Sequence, residues 1–222
     1  RHGSGNPFVV EADEYDRMFL GLKPDVAIIT NIEYDHPDCY ATLAEMQDAF
    51  QEFTQLLPDD GVLIVARDDP GAWKLGRAST ARGLEVVTYS LVYEADWRAA
   101  NITANNSGGC DFEVFRGDGE PGCSVSSRLA GRHNVENVLA VFAAAEHMGL
   151  RIDETVEWVY EFSGVERRFD VKGEINNITV VDDYAHHPTE IRATLASARL
   201  HYPGRCIWAL FQPHTFSRTK VM

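Results

Sequence analysis

Short apolar runs alternate with helix-forming segments between residues 8 and 89, and this alternation constrains the fold more than any other feature. Residues 8–10 and 26–30 are β-prone runs bounded by prolines and polar turns, as fully buried parallel strands are. Across residues 41–57 apolar side chains recur at helical spacing, and Thr42 with Glu45 predicts a capping box at the start of that helix. The pattern continues with a strand, a short helix and a strand at residues 62–66, 72–76 and 85–89. Together these segments predict an open, mostly parallel α/β sheet with residues 8–10 and 26–30 as central strands.

Later segments predict two further kinds of structure. Short β-prone runs between residues 97 and 128, split by glycine-containing turns at 107–109 and 117–119, predict a small antiparallel appendage. Two amphipathic helices follow, around residues 135–145 and 156–160. Beyond them the sequence predicts a hairpin turned at Asn176-Asn177, a helix from Pro188 to about 202 and a strand, at residues 170–182, 188–202 and 206–211.

A domain boundary is expected at residues 162–169, between the second amphipathic helix and the hairpin. We therefore predict one domain over residues 1–168 and the start of a second α/β unit over residues 169–222. The chain opens without a basic and apolar leader, and its first methionine is Met18. We expect it to be part of a longer protein.

Charge and hydropathy exclude two classes of partner. Twenty basic residues against thirty-four acidic ones give a net charge of −14, which repels nucleic acids but leaves metal ions and metal-bound phosphates possible. The apolar runs fall far short of the roughly 20 residues that span a bilayer, so we expect no membrane segment. The four cysteines form no C-x-x-C pair, which predicts reduced thiols in a cytoplasmic protein, with a Cys110–Cys123 disulfide as the minor alternative.

Acidic and imidazole side chains follow the first two predicted strands. Residues 11–16 hold four carboxylates, which suit a hard cation, although a solvated acidic turn is the simpler interpretation. His36 follows the second strand, so it should reach the same edge of the sheet as Glu11. A surface histidine beside Asp35 is the alternative.

Amides and arginines mark two further candidate sites. Asn134 and Asn137 lie three residues apart at a predicted helix start, where amides can read a base edge or a ribose hydroxyl, and N-capping by Asn134 is the alternative. Arg167 and Arg168 can clamp a phosphate or be solvated surface charges. The strand-end turn 182–188 concentrates two carboxylates and two imidazoles, and residues 212–220 supply donors for an anion.

Six blocks of the sequence, in order and spacing, resemble those of the Mur ligases, the ATP-dependent amide-forming enzymes of peptidoglycan synthesis. The blocks are residues 11–16, 30–36, 131–137, 164–169, 182–188 and 212–220. The resemblance implies a P-loop-type ATPase domain followed by a Rossmann-like domain. It also implies Mg²⁺ and ATP as cofactors, and a reaction that joins L-alanine to UDP-N-acetylmuramate through an acyl phosphate. No nucleic acid or membrane partner is implied, and the oligomeric state stays open.

The resemblance also implies roles for individual residues. The metal ligands would be Glu11 and His36, and the nucleotide contacts would be His133, Asn134, Asn137, Arg168 and Asp183. The contacts to the muramyl and alanine substrates would be Tyr184, His186, Thr215 and Arg218. Thr215 stands where some relatives carry a second arginine. Arg168, His186 and Arg218 are the implied catalytic residues.

The family's phosphate-binding glycine-lysine pair is missing, since none of Lys23, Lys74, Lys172 and Lys220 follows a glycine. We therefore expect the chain alone to be inactive. Three alternatives stay open at this point: a muropeptide-recycling ligase of the same family, a nucleotide-binding module without turnover, and a two-metal hydrolase. The hydrolase would use Glu11, His36, Asp38, Asp183, His186 and His187, although no H-x-H or H-E-x-x-H pattern accompanies them.

Overall fold

The computed structural model describes residues 5–117 and 119–221, with side chains omitted at 120, 121, 217 and 221. Within these residues six strands form one sheet in the order β1-β2-β3-β4-β5-β6, and two more strands form a separate hairpin, β7-β8. The strands are Val26–Ile29 (β1), Val62–Ala66 (β2), Glu85–Ser90 (β3), Trp97–Ala104 (β4), Cys110–Arg116 (β5), Glu120–Ser127 (β6), Asp170–Ile175 (β7) and Ile178–Asp182 (β8). The pairs from β1 to β4 are parallel and the pairs from β4 to β6 are antiparallel, so the predicted open α/β sheet is confirmed.

Capping side chains set the starts of several helices. The helices are Leu43–Thr54 (α1), Pro70–Ala81 (α2), Arg132–His147 (α3), Ile152–Glu161 (α4), Pro188–His201 (α5) and Phe216–Val221 (α6), and a 3₁₀ helix spans Tyr15–Gly21. The predicted cap of α1 is confirmed, because Thr42 accepts a hydrogen bond from the Glu45 N–H. Asp69 caps α2 and Pro70 occupies its first turn, which makes that helix longer than predicted.

The core lies on both faces of the sheet, so β2, which runs between the two layers, is buried along its whole length. Val62 and Ile64 of β2 belong to an apolar cluster with α3, and Leu63 and Val65 belong to a second cluster with α1. Successive strand side chains alternate between faces, so one five-residue strand anchors both layers. Among the described side chains, every buried apolar one lies at or before Val159. The described residues after 168, called the second unit below, therefore contribute no fully buried apolar side chain, although Leu200 packs, partly buried, against the α3 cluster of the sheet unit.

Two predicted strands are wrong. Residues 8–10 and 206–211 form no strand, and Phe8 and Leu210 are 89% and 98% exposed. β-prone side chains stabilise a strand only where a neighbour supplies hydrogen bonds and packing, and neither run has a paired neighbour in the described residues. Val26–Ile29 is a strand as predicted, but it lies at the edge of the sheet instead of its centre.

The predicted antiparallel appendage is instead a continuation of the main sheet. A short parallel pairing of Tyr89 with Trp97 joins β3 to β4. The second glycine-containing turn predicted for this region, residues 117–119, contains Asp118, which lies outside the described residues. Residues 1–4 and Met222 also lie outside them. The minor disulfide alternative is also wrong, because Cys110 and Cys123 are free and pair in register with Ser127 and Val114. No helix in residues 5–117 and 119–221 combines the length and apolar character needed to cross a bilayer.

Candidate functional site: a cleft between the sheet edge and the second unit

A cleft of about 1390 Å³ lies where the carboxyl ends of β1 and β2 face α3, the segment 162–171 and α5. Open α/β sheets bind ligands at such strand ends. The cleft brings together the predicted metal ligand Glu11 and the predicted nucleotide contacts, which are His133, Asn134, Asn137, Arg168 and Asp183. The predicted substrate contacts and His36 are not among its lining residues. The predicted site residues therefore fall into two groups.

The start of α3 forms one wall of the cleft. Gly131 is the N-cap of α3, so the N-capping alternative for Asn134 is wrong. The Asn134 amide instead donates to the Ala130 carbonyl oxygen at 2.8 Å and accepts from the Asn137 amide at 3.2 Å. Burial lowers the pKa of His133, so its imidazole is neutral near pH 7. Neutral amide and imidazole groups of this kind can bind an uncharged heterocycle.

The segment around Arg168 is bound to the turn that follows β8. Both Asp183 oxygens accept backbone N–H groups, from Phe169 at 2.8 Å and from Ala185 at 2.7 Å. Arg167 and Phe169 have φ angles of 60° and 48°, a conformation that non-glycine residues rarely adopt. Asp183 therefore fixes a strained connection, with Arg168 on the cleft wall between the two strained residues.

Carboxyl groups dominate another corner of the cleft. Asp68 accepts from the Leu91 N–H at 2.7 Å, and Asp69 accepts from the Ile32 and Ala72 N–H groups. Burial, and then the Asp68 charge, raise the pKa of Glu136 to about 7. An acidic wall repels the free polyphosphate of a nucleotide, so a polyphosphate would enter with divalent cations.

The second group centres on Arg218, whose side chain is buried against the loop after β1. Its Nε donates to Asp35 Oδ1 at 2.6 Å, and its terminal nitrogens lie 3.3 Å from His214 Nδ1 and 3.4 Å from His36 Nδ1. Because a guanidinium only donates, His36 Nδ1 is an acceptor and the ring proton lies on Nε2, which is 3.2 Å from Glu14 Oε1.

Three other predicted substrate contacts lie on the same side of the second unit. The His186 ring packs edge-on against Tyr184 and lies 5.6 Å from the His214 ring, between centroids. Thr215 has a φ of 59°, which is strained for a β-branched residue, and its hydroxyl accepts from the Arg218 N–H. His214 therefore links the His186 and Tyr184 rings to Arg218.

Of the two residues predicted to bind magnesium, Glu11 is suitably placed and His36 is not. Glu11 is an exposed carboxylate on the cleft wall, and Mg²⁺ needs only one or two carboxylates when phosphates supply the remaining ligands. His36 does not fit in this arrangement, because both ring nitrogens already face Arg218 and Glu14. In the described part of the chain no group of three or more His, Cys, Asp or Glu side chains is placed to hold a metal ion.

Sequence reasoning missed four carboxylate side chains at the site, those of Asp68, Asp69, Glu136 and Glu33. Asp68 and Asp69 follow β2, and their signal was their position after a buried strand and before a proline. Glu136 lies inside a block already singled out, between the two asparagines. Glu33 crosses to the second unit, where its Oε1 accepts the Thr189 hydroxyl at 3.0 Å, and this contact had no signal in the sequence.

Comparison with known families gives the class of protein. The Mur ligase middle domain matches residues 6–145, and the Mur ligase glutamate ligase domain matches residues 167–220. The chain therefore belongs to the Mur ligase family.

Individual members of the family show which of its enzymes this chain is similar to. UDP-N-acetylmuramate–L-alanine ligase of Roseiflexus sp. is 42% identical, with the match covering 97% of this chain and 48% of the relative. The crystal structure of UDP-N-acetylmuramate-alanine ligase MurC from Thermotoga maritima superposes with a TM-score of 0.74 at 28% identity, covering 94% of this chain and 46% of that one. Murein peptide ligase from Psychrobacter arcticus gives a TM-score of 0.60 at 29% identity, covering 89% and 39%. The chain spans about half the length of the relatives it matches.

Proposed function

We propose that this chain is a fragment, with the central ATP-binding domain, the hinge after it and the start of the next domain, of an ATP-dependent ligase that joins L-alanine to UDP-N-acetylmuramate in the cytoplasm, for peptidoglycan synthesis. The observation that supports this most is the convergence of Glu11, Asn134, Asn137, Arg168 and Asp183 on one cleft. They come from both units of the chain, so a nucleotide bound there would contact both.

The reaction would proceed in two steps. A carboxylate oxygen of UDP-N-acetylmuramate attacks the γ-phosphorus of ATP, which forms an acyl phosphate and releases ADP. The amine of L-alanine then attacks the acyl carbon, an amide forms, and phosphate leaves. Magnesium, when bound, supplies charge neutralisation at the phosphates.

The residues of the chain would bind, orient and neutralise charge. Asn134 and Asn137, beside neutral His133, would bind the adenine. Arg168 would bind the transferring phosphate, since its guanidinium is half-exposed and its Glu190 partner lies at a long 3.5 Å. Asp183 would contact the ribose while holding the Arg168 segment. Glu11 would hold magnesium, and His36 could do so through Nδ1 only after that nitrogen releases Arg218, while Nε2–H still donates to Glu14.

Substrate groups would lie on the second group of residues. Arg218 would bind a carboxylate, and Tyr184, His186 and Thr215 would border the muramyl and alanine substrates. Positioning of this kind supplies most of the catalysis in phosphoryl transfer, where little covalent chemistry is asked of side chains. Arg168, His186 and Arg218 are the residues we propose as catalytic.

Two alternatives differ from this proposal, one in its acceptor substrate and the other in its lack of turnover. A muropeptide-recycling ligase would use a peptide in place of L-alanine, and the likeness to murein peptide ligase keeps this candidate second. A nucleotide-binding module would bind ATP without releasing phosphate.

Phosphate release from ATP tests the proposal in the full-length protein that carries this sequence. We expect release that requires both UDP-N-acetylmuramate and L-alanine, and a peptide acceptor should not replace L-alanine. Arg168→Ala should lower turnover by roughly a hundredfold, the scale for a lost transition-state contact, and Asp183→Ala should chiefly weaken nucleotide binding. Arg151→Ala, which removes another exposed arginine with a single carboxylate partner, is the matched control.

The 222-residue chain itself should release phosphate only at background, because its sequence has no glycine-lysine pair to bind the phosphates. Clear turnover by the pure chain, or unchanged turnover and ATP affinity in both cleft variants, would contradict these assignments.

A further inference from the structure

Arg218 is a buried cation in an exposed segment. Its residue is 7% exposed, whereas Phe216 in the same short helix is 98% exposed and residues 208–216 are exposed throughout. No buried apolar side chain of that segment anchors it. What buries Arg218 is the loop after β1, which supplies Asp35 and His36.

Asp35 is the charged partner in this contact and is itself held in place. Its Oδ1 accepts the Arg218 Nε–H and the His36 backbone N–H, both at 2.6 Å. His36 has a φ of 53°, so the loop turns sharply directly after Asp35. Asp35 also lines the cleft, so it links the two groups of site residues.

The terminal nitrogens of Arg218 are held more weakly than its Nε, so a carboxylate could displace their imidazole partners. Asp35 takes Nε, while the two terminal nitrogens have only contacts of 3.3 and 3.4 Å to imidazole nitrogens. Arginine binds a carboxylate in bidentate fashion through paired N–H groups, and the two terminal nitrogens form such a pair. The Asp35 contact fixes the plane of the guanidinium without occupying that pair.

We propose that Asp35 is a positioning residue that orients Arg218 for a carboxylate of the substrate, an inference that rests on the function proposed above. Asp35 would act through Arg218 and would not touch the substrate. Replacing it by asparagine should leave a buried guanidinium without its charged partner and free to turn away. The loss should appear mainly in substrate binding.

Steady-state kinetics of the full-length protein test this with Asp35→Asn, Asp35→Glu, Arg218→Lys and the double variant Asp35→Asn/Arg218→Lys. We expect Asp35→Asn to raise KM for one carboxylate substrate by roughly tenfold or more, the scale of a lost charged hydrogen bond, with KM for ATP unchanged. Asp35→Glu should recover part of the loss. In the Arg218→Lys background the asparagine change should add little. Asp48→Asn, an exposed carboxylate of the following helix, is the control.

A second measurement is independent of activity. In ¹⁵N NMR spectra of the 222-residue chain, the Nε–H signal that Arg218→Lys removes should exchange slowly in the parent, survive Asp48→Asn and be lost in Asp35→Asn. Absence of ligase activity in the parent would refute the proposed function while this signal still reports on the pair. Unchanged substrate KM values in Asp35→Asn, or equal losses for ATP and both substrates with a lower Tm, would overturn the positioning role.

Discussion

At the scale of single residues, the carboxyl groups in the acidic corner of the cleft differ in their hydrogen-bond partners. Asp68 and Asp69 accept backbone N–H groups, although burial still raises the pKa of Asp69. Glu136 is mostly buried, and only Arg132 acts to lower its pKa against burial and the two aspartates. The sequence places Glu136 in the correct motif, but the proximity of Asp68 depends on how β2 meets α3, which no local pattern encodes.

Glu136→Gln tests this raised pKa. The pKa of the folded state, about 7, exceeds the ordinary value of 4.5, so the contribution to stability is complete below 4.5 and is lost as the pH rises to about 7. Between pH 5.5 and 8 the parent should therefore lose about 2 kcal/mol more unfolding free energy than the glutamine variant. Urea unfolding at several pH values measures this difference.

The control for that experiment is Glu157→Gln, which neutralises an exposed carboxylate on α4. Its unfolding free energy should follow the parent across the same pH range. If the unfolding free energies of the parent and Glu136→Gln changed in parallel with pH, the pKa of Glu136 would not be raised in the folded protein.

At the scale of secondary-structure elements, the backbone at Gly131, the N-cap of α3, lies very close to α5. A Cβ at this position would lie 1.9 Å from the Ser197 hydroxyl oxygen, and the φ of 91° already disfavours any other residue. Ser197 is 2% exposed, so it has little room to move. Gly131 therefore sets the distance at which α5 packs on the sheet unit.

Gly131→Ala should destabilise the protein by about 2 kcal/mol or more, from the strained φ and from the clash. Adding Ser197→Ala should recover part of that loss because it removes the clashing oxygen. Gly149→Ala isolates the backbone effect, since Gly149 has a φ of 73° and nothing within 4 Å of its added Cβ. Thermal unfolding compares the three, and equal losses for both glycines would contradict the clash.

The elements also show what the sequence can predict. Segments with a local signal were predicted correctly: α1 by its periodicity and its Thr42 cap, α3 by its apolar periodicity, and the β7-β8 hairpin by its Asn176-Asn177 turn. Residues 8–10 and 206–211 were wrongly predicted as strands because strand formation depends on a partner elsewhere in the chain. The cleft residues were identified through motifs, whereas the pairing of Asp35 with Arg218 joins segments 183 residues apart and depends on the tertiary fold.

At the scale of the whole molecule, the two units differ in what stabilises them. The sheet unit has two apolar clusters, and the second unit has none among its described side chains. The hairpin β7-β8 exposes Val171, Ile175, Ile178 and Val180. Its backbone hydrogen bonds should therefore open more readily than those of the sheet.

Hydrogen exchange tests this difference with a matched pair of hairpins. Amides of β7-β8 should exchange at least about a hundredfold faster than those of β5-β6, which is also antiparallel but has Val114 and Val125 buried. Both hairpins lie in the same chain, so one experiment supplies the comparison. Equal protection would mean that the second unit is stabilised as strongly as the sheet.

The contacts between the two units are largely polar, as those of Thr189 with Glu33, Arg218 with Asp35 and His187 with the Tyr34 carbonyl oxygen illustrate. Water can replace each of these partners, and the apolar contact between the units includes Leu200 of α5, which packs against the core cluster of the sheet unit. Heat capacity rises on exposure of apolar surface and falls on exposure of polar surface. Separation of the two units would therefore change the heat capacity much less than unfolding of the sheet unit, and dissolved ions would shift it only slightly, because the Arg218–Asp35 pair is buried and so largely protected from screening.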